Sequence, residues 1–151
     1  MSDLIDTAAL QPSQLRWSHF EHGADIGISG EGATLAETFA AVATALTAIV
    51  TDPAAVKDDA AVAISCEAPS PQLLLVDFLN AIIFQMATND LLFRRYRVET
   101  DGVNLRATAW GERVDLVRHA PAVEPKGATY TALTVERRAD GRWRAACVID
   151  V

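Results

Sequence analysis

The period of the apolar residues changes at Asp90, and that change limits the folds open to the chain. Before it, Phe39, Val42, Ala43, Leu46, Ile49 and Val50 recur at helical spacing and predict an amphipathic helix over 35–50. Thr34, with Glu37 three residues on, has the form of a capping box, and Thr51-Asp52-Pro53 stops the helix because proline removes a donor. Ser70-Pro71 opens a second helix carrying Leu74, Leu75, Phe78, Leu79, Ile82, Ile83 and Met86, whose broader apolar face predicts the deeper burial of the two. After Asp90 the pattern is two-residue alternation punctuated by Asp101-Gly102 and Asp140-Gly141, both hairpin signals. Helices first and consecutive hairpins afterwards exclude a doubly wound parallel sheet and predict an α+β fold: two helices packed on a mainly antiparallel sheet.

The remaining elements fit this order. Residues 1–15 show no period and are expected to be a flexible extension, with a single domain over 16–151. Arg16–Phe20 is a strand candidate that Ile26 and Ile28 continue, with Ser29-Gly30-Glu31-Gly32 as a turn. A strand is expected over 61–67. Gly111-Glu112 reads as a bend before a short 113–117 segment, 119–127 as a loop, and 129–138 and 143–151 as the closing strands.

Half the residues are hydrophobic and the formal charge is −7, which argues against direct binding to nucleic acid. The charge is uneven: residues 1–90 hold two bases against twelve acids, and residues 91–151 eleven bases against eight acids. An acidic half suits a cation or a basic protein partner. Cys66 and Cys147 form no C-x-x-C pair and read as buried free thiols, which fits a reducing, cytoplasmic setting. The N-terminus carries no secretory signal pattern. The most apolar stretch, 73–84, is far short of the roughly 20 residues of a membrane span, so no membrane role is expected.

Chemistry concentrates in Glu21-His22-Gly23-Ala24-Asp25-Ile26-Gly27-Ile28. Glycines on both sides of Asp25 imply backbone bends that can aim its carboxylate into a site. At the far end, Asp150 and the Val151 α-carboxylate place two anionic groups on adjacent residues. If the last strand lies beside the one carrying Asp25, three carboxylates converge, and their repulsion calls for a hard divalent cation, Ca²⁺ or Mg²⁺ rather than zinc. His19 and His22 face opposite sides of a strand and make no zinc pair. No nucleophile elbow, P-loop or dinucleotide fingerprint occurs, so no catalytic residue is assigned. Lys126 could reach a phosphate or a partner's carboxylate.

In order along the chain, these segments resemble the archease family. His22 to Ile28 matches a His-x-Ala-Asp-x-Gly-Ile signature, with Gly23 where threonine is usual. Thr51-Asp52, the 74–80 segment, and Gly111-Glu112 with Asp115 and His119 follow in order. Lys126 to Thr131 matches Lys-Ala-x-Thr-Tyr-His, with Gly127 for the alanine and Thr131 for the histidine, and Asp150-Val151 matches the closing Asp-Val. The resemblance implies a divalent-cation site, usually taken as Ca²⁺, formed by Asp25, Asp150 and the Val151 terminus. It also implies an accessory, non-enzymatic role: activation of an RtcB-type RNA ligase in tRNA splicing and RNA repair, by promoting guanylylation of the ligase and its multiple turnover. Lys126 and His22 are implied as functional or partner-contact residues. Mg²⁺ or Mn²⁺ near the ligase's nucleotide phosphates would fit the acidic half. Two other readings use the same residues: a chaperone-like modulator of another RNA-processing enzyme or a methyltransferase, and a metal-dependent phosphoesterase.

Overall fold

The computed structural model describes residues 6–151. Its strands are β1 (Asp6–Ala8), β2 (Arg16–His22), β3 (Asp25–Gly32), β4 (Ala60–Glu67), β5 (Leu91–Thr100), β6 (Asn104–Arg113), β7 (Gly127–Ala128), β8 (Thr134–Arg137) and β9 (Trp143–Asp150); its helices are α1 (Leu35–Val50), α2 (Pro71–Asn89) and the single turn α3 (Leu116–His119). One antiparallel sheet runs β1-β5-β6-β4, and the other β2-β3-β9-β7, with β8 also paired to β9. Both long helices touch both sheets: α1 meets β2, β3 and β9 on one side and β1 and β5 on the other, and α2 meets β4, β5 and β6, and β7 and β8. The fold is therefore α+β, with the two long helices as a middle layer and, among the described residues, three α-helical segments where two helices were expected.

Helix α1 keeps its predicted bounds but not its predicted amphipathicity. All of its residues except Glu37 and Ala48 are buried. The side away from the Phe39–Leu46 stripe is alanine and threonine, small enough for a second sheet to close on it. The threonine hydroxyls are satisfied inside: Thr38 Oγ1 donates to the Thr34 carbonyl at 2.8 Å, Thr44 Oγ1 to the Ala40 carbonyl at 2.8 Å, and Thr47 Oγ1 lies 2.9 Å from the Tyr96 hydroxyl. At its start the Glu37 amide donates to Thr34 Oγ1 at 3.1 Å, and Glu37 Oε2 takes the Ala33 amide at 2.9 Å. α1, not α2, is thus the most buried element. α2 leaves Leu73 and Phe84 exposed, although Leu74, Leu75, Phe78, Leu79 and Ile82 are fully buried. By length and composition its 19 residues would pass for a membrane span, longer than the 73–84 stretch implied, and here one face of the helix fills the core. Phe39, Phe78, Phe93 and Tyr96 cluster there, with ring centroids 6.0–6.4 Å apart.

Other boundaries move for physical reasons. Residues 1–5 of the expected extension lie outside the described residues. Within the rest of it, Asp6–Ala8 pairs with β5 and Leu15 is buried, so it is part of the fold. Ser29–Gly32 is strand rather than turn. Its glycines serve helix packing: a Cβ on Gly30 would lie 2.7 Å from the Val42 nitrogen and 2.8 Å from the Ala41 Cβ, and one on Gly32 2.8 Å from the Glu37 Cβ. The turn is two residues, Gly23-Ala24, with Gly23 at φ +62°. Gly27 is not a bend but strand, and the Phe20 ring occupies the space its side chain would need. Gly111 continues β6, where a Cβ would strike the Leu92 carbonyl beside a bulge between Phe93 and Arg95. The 113–117 segment gives way to α3, the expected 129–138 strand shortens to β8, and β7 forms at the end of the expected 119–127 loop, so that β7 and β8 share one edge of β9.

Gly30→Ala is expected to cost about 1–3 kcal/mol, because backbone and not a mobile side chain blocks the added methyl. Gly23→Ala meets no atom within 4 Å and should cost only about 1 kcal/mol of left-handed backbone strain. Urea denaturation of the two variants checks the order.

Candidate functional site

The first two and last residues of the predicted site meet at one end of the five-stranded sheet. β3 lies between β2 and β9, with His22 paired to Asp25 and Ile26 to Ile149. That second pair is the last rung of the β3–β9 ladder, and Asp25 and Asp150 are the next residue on each strand. The Val151 amide donates to Asp25 Oδ1 at 3.4 Å. On the other side of β9, Gly127 pairs with Asp150, and the Lys126 amide donates to the Asp150 carbonyl at 2.8 Å. Asp25 and Val151 are half-buried, while His22, Lys126 and Asp150 are exposed.

All five residues named from the sequence therefore gather at one sheet end, with Lys126 placed by its main chain. Among the described residues no three His, Cys, Asp or Glu side chains form a cluster able to hold a metal ion. The acidic side chains here are two, and a third carboxylate would be that of Val151. An all-oxygen donor set of this kind fits Ca²⁺ or Mg²⁺ and lacks the thiolate or imidazole character that favours zinc. Asp25, Asp150 and the Val151 carboxylate are the groups that would hold such an ion, which would supply positive charge to an anionic ligand.

Two supports escaped the sequence reading. Asn80 Oδ1, on α2, takes the Ala128 amide at 2.8 Å and so ties the β7 edge, and with it Lys126, to the helical layer. An asparagine at that helix position carries no signal that separates a clamp from a solvated side chain. The second support is the cluster following Gly111. Glu112, 8 % exposed, accepts from Arg118, from the Lys57 amide at 2.7 Å and from His119 Nε2 at 3.0 Å. His119 Nδ1 accepts the Asp115 amide at 2.8 Å, which assigns the ring proton to Nε2. The His119 carbonyl accepts from Thr51 Oγ1 at 2.7 Å, and Arg118 Nη1 reaches the Ala55 carbonyl. Glu112, Asp115, His119 and Thr51 thus form a brace that fixes the end of α1 against β6 and α3. His19, for its part, lies 2.8 Å by Nε2 from the Ala45 carbonyl and takes no part in the site.

The thiols are free, Cys147 buried and Cys66 half-buried. Burial pushes the Cys147 thiol up to about 11, so it is inert.

A model of the Archease protein family (MTH1598/TM1083) matches residues 17–151. The chain belongs to the archease family. Protein archease of Pyrococcus abyssi is 36 % identical over 140 residues, covering 90 % of this chain and 99 % of the relative. Protein archease of Methanosarcina acetivorans is 32 % identical over 146 residues, covering 93 % and 99 %. The solution structure of Methanobacterium thermoautotrophicum protein 1598 superposes with a TM-score of 0.78 at 27 % identity, covering 89 % of this chain and 98 % of that one. The crystal structure of a Thermotoga maritima archease, described as a possible chaperone, gives a TM-score of 0.57 at 19 % identity over 87 % and 94 %, and bears on the fold alone. The archease chain described here thus shares its α+β architecture with both.

Arg118 first, then the Lys57 amide and His119, hold the Glu112 carboxyl down from its ordinary 4.5 to about 2. A depressed acid stabilises the fold above its unfolded value and loses that contribution as pH falls through the folded one. Stability should therefore decline between pH 4.5 and 2. Glu112→Gln should flatten that part of the acid arm and lower stability at pH 7 by on the order of 1.5–3 kcal/mol. Urea midpoints measured from pH 2 to 7 check both.

Proposed function

We propose that this archease holds a divalent cation, Ca²⁺ or alternatively Mg²⁺ or Mn²⁺, on Asp25, Asp150 and the Val151 α-carboxylate, and acts as a non-enzymatic activator of an RtcB-type RNA ligase. In this reading it promotes guanylylation of the ligase and its multiple turnover in tRNA splicing and RNA repair, in the cytoplasm, without binding RNA itself. The observation that carries the reading is the meeting of Asp25 with residues 150 and 151, at 3.4 Å from Oδ1 to the Val151 amide. A bound cation would supply charge to the phosphates of a nucleotide on the ligase. Lys126 and His22, exposed beside the carboxylates, are the partner-contact residues.

A second reading is chaperone-like action on another RNA-processing enzyme or a methyltransferase. It is favoured by the apolar side chains left in solvent, Val117 at 92 % and Phe84 at 62 %. Affinity capture that recovers such enzymes and no ligase would select it.

Mixing the protein with an RtcB-type ligase and labelled GTP, and following covalent guanylate, tests the first reading. Asp25→Ala should remove the stimulation; an unchanged rate would count against it. Calorimetric Ca²⁺ titration should show an affinity loss of about tenfold or more in Asp150→Asn, and again in a chain extended beyond Val151. Unchanged affinity in the extended chain removes Val151 from the ligand set.

A further inference from the structure

Where α2 ends and α3 begins, the surface holds a groove of about 260 Å³ that none of the site residues lines. Its walls include Ile83, Met86, Val114, Leu116, Val123 and Pro125. The charged residues on it are Asp90 and Glu124, and no base lines it. Among the described residues neither carboxylate has a hydrogen-bond or ion-pair partner, unlike Glu112, Asp115 and Asp58, which are all engaged. Leu116 is 76 % exposed and its neighbour Val117 92 %.

The turn that presents these two aliphatic side chains is rigidly built. Asp115 Oδ1 takes the Val117 and Arg118 amides at 3.1 and 3.0 Å, Arg118 reaches Glu112, and buried His119 closes the turn from below. A turn so braced keeps two large apolar groups in water at a standing cost, and a partner surface would relieve it. The groove is also one residue away from the strand edge that meets Asp150. Pro125 lines it, and the next residue, Lys126, bonds through its amide to Asp150.

We propose that this groove is a docking site for a protein segment that carries an apolar anchor side chain flanked by lysine or arginine. The anchor enters between Ile83, Met86 and Val123 beside Leu116, and the flanking cations meet Asp90 and Glu124. Charge complementarity selects this occupant: a groove with two unpaired acids and no base disfavours an acidic segment. Through Pro125 and Lys126 the same segment lies against the cation-site end of the sheet, so the groove gives a partner its register there. This role for the site end rests on the activator reading, while the groove's chemistry does not.

The probes are an 18-residue amphipathic Leu/Lys peptide and its Leu/Glu counterpart, titrated into the full chain and followed by methyl NMR and fluorescence anisotropy. The Leu/Lys peptide should shift the methyls of Ile83, Leu116, Val117 and Val123, and the Leu/Glu peptide should not. Leu116→Asp separates docking from general attraction to an acidic protein. It adds a negative charge, so attraction alone would tighten, whereas groove docking should weaken about tenfold or more. Glu124→Lys should weaken it further. Leu116 and Glu124 are exposed, and their variants should keep the wild-type urea midpoint. Failure of the Leu/Lys peptide to shift these methyls, equal binding of the two peptides, or tighter binding by Leu116→Asp would each overturn the proposal. Ca²⁺ titration of the same variants separates the two readings: the groove can fail with the cation affinity intact, and the cation site can fail with the peptide still bound.

Discussion

The pairing of β3 with β9, laid across α1, is the constraint on which the rest of the structure depends. It joins residues 26–32 to residues 143–149, almost the whole chain apart, and closes a loop whose entropy must be offset by what the closure buries. What it buries is the face of α1 that has no large side chains. Gly30 and Gly32 let β3 sit on Ala41, Val42 and Glu37 at distances a Cβ would forbid, and Ala145, Cys147 and Ile149 on β9 complete the surface. With a second sheet on its other side, α1 is enclosed, and its threonines turn inward to bond its own turns and Tyr96.

The candidate site is a consequence of that pairing. Antiparallel strands bring the start of one level with the end of the other, so Asp25 arrives beside Asp150 and Val151 without a local motif. β7 then joins the free edge of β9 and brings in Lys126, held from the helical layer by Asn80. Asp25 and Asp150 thus stand at the ends of paired strands rather than on a loose loop. The Glu112–Arg118–His119 brace is built from the end of β6 and from α3. It anchors α3 and the end of α1, and gives firm footing to the exposed Leu116 and Val117.

Much of this was legible along the chain. Periodicity located both long helices, because a stripe of apolar side chains must recur every turn to face a core. Thr34 and Ser70 marked their starts, since a hydroxyl can satisfy an otherwise orphaned amide. Asp101-Gly102 and Asp140-Gly141 marked two hairpins, with both glycines in left-handed backbone. The carboxylates were legible as candidates because Asp25 sits in a recognisable signature and Asp150 beside the final residue. Glycines were the commonest source of error: 29–32 read as a turn and 111–112 as a bend. Glycine as a flexible link and glycine as a small spacer under a helix or opposite a carbonyl are the same letter, and only the neighbour tells them apart.

The amino-acid order by itself determined that two long segments are helical, where they begin, that the second half is rich in hairpins, and which residues carry the candidate carboxylates. Those are local properties, fixed by spacing, capping and turn chemistry within a few residues. Only the tertiary structure decided that α1 is enclosed on both sides, that Asp6–Ala8 joins a sheet, that Glu112, Arg118 and His119 form one brace, and that Asp25 stands beside the last residues. These depend on which surfaces meet across more than a hundred positions, and that is set by the complementary shapes of whole layers, which no short stretch contains.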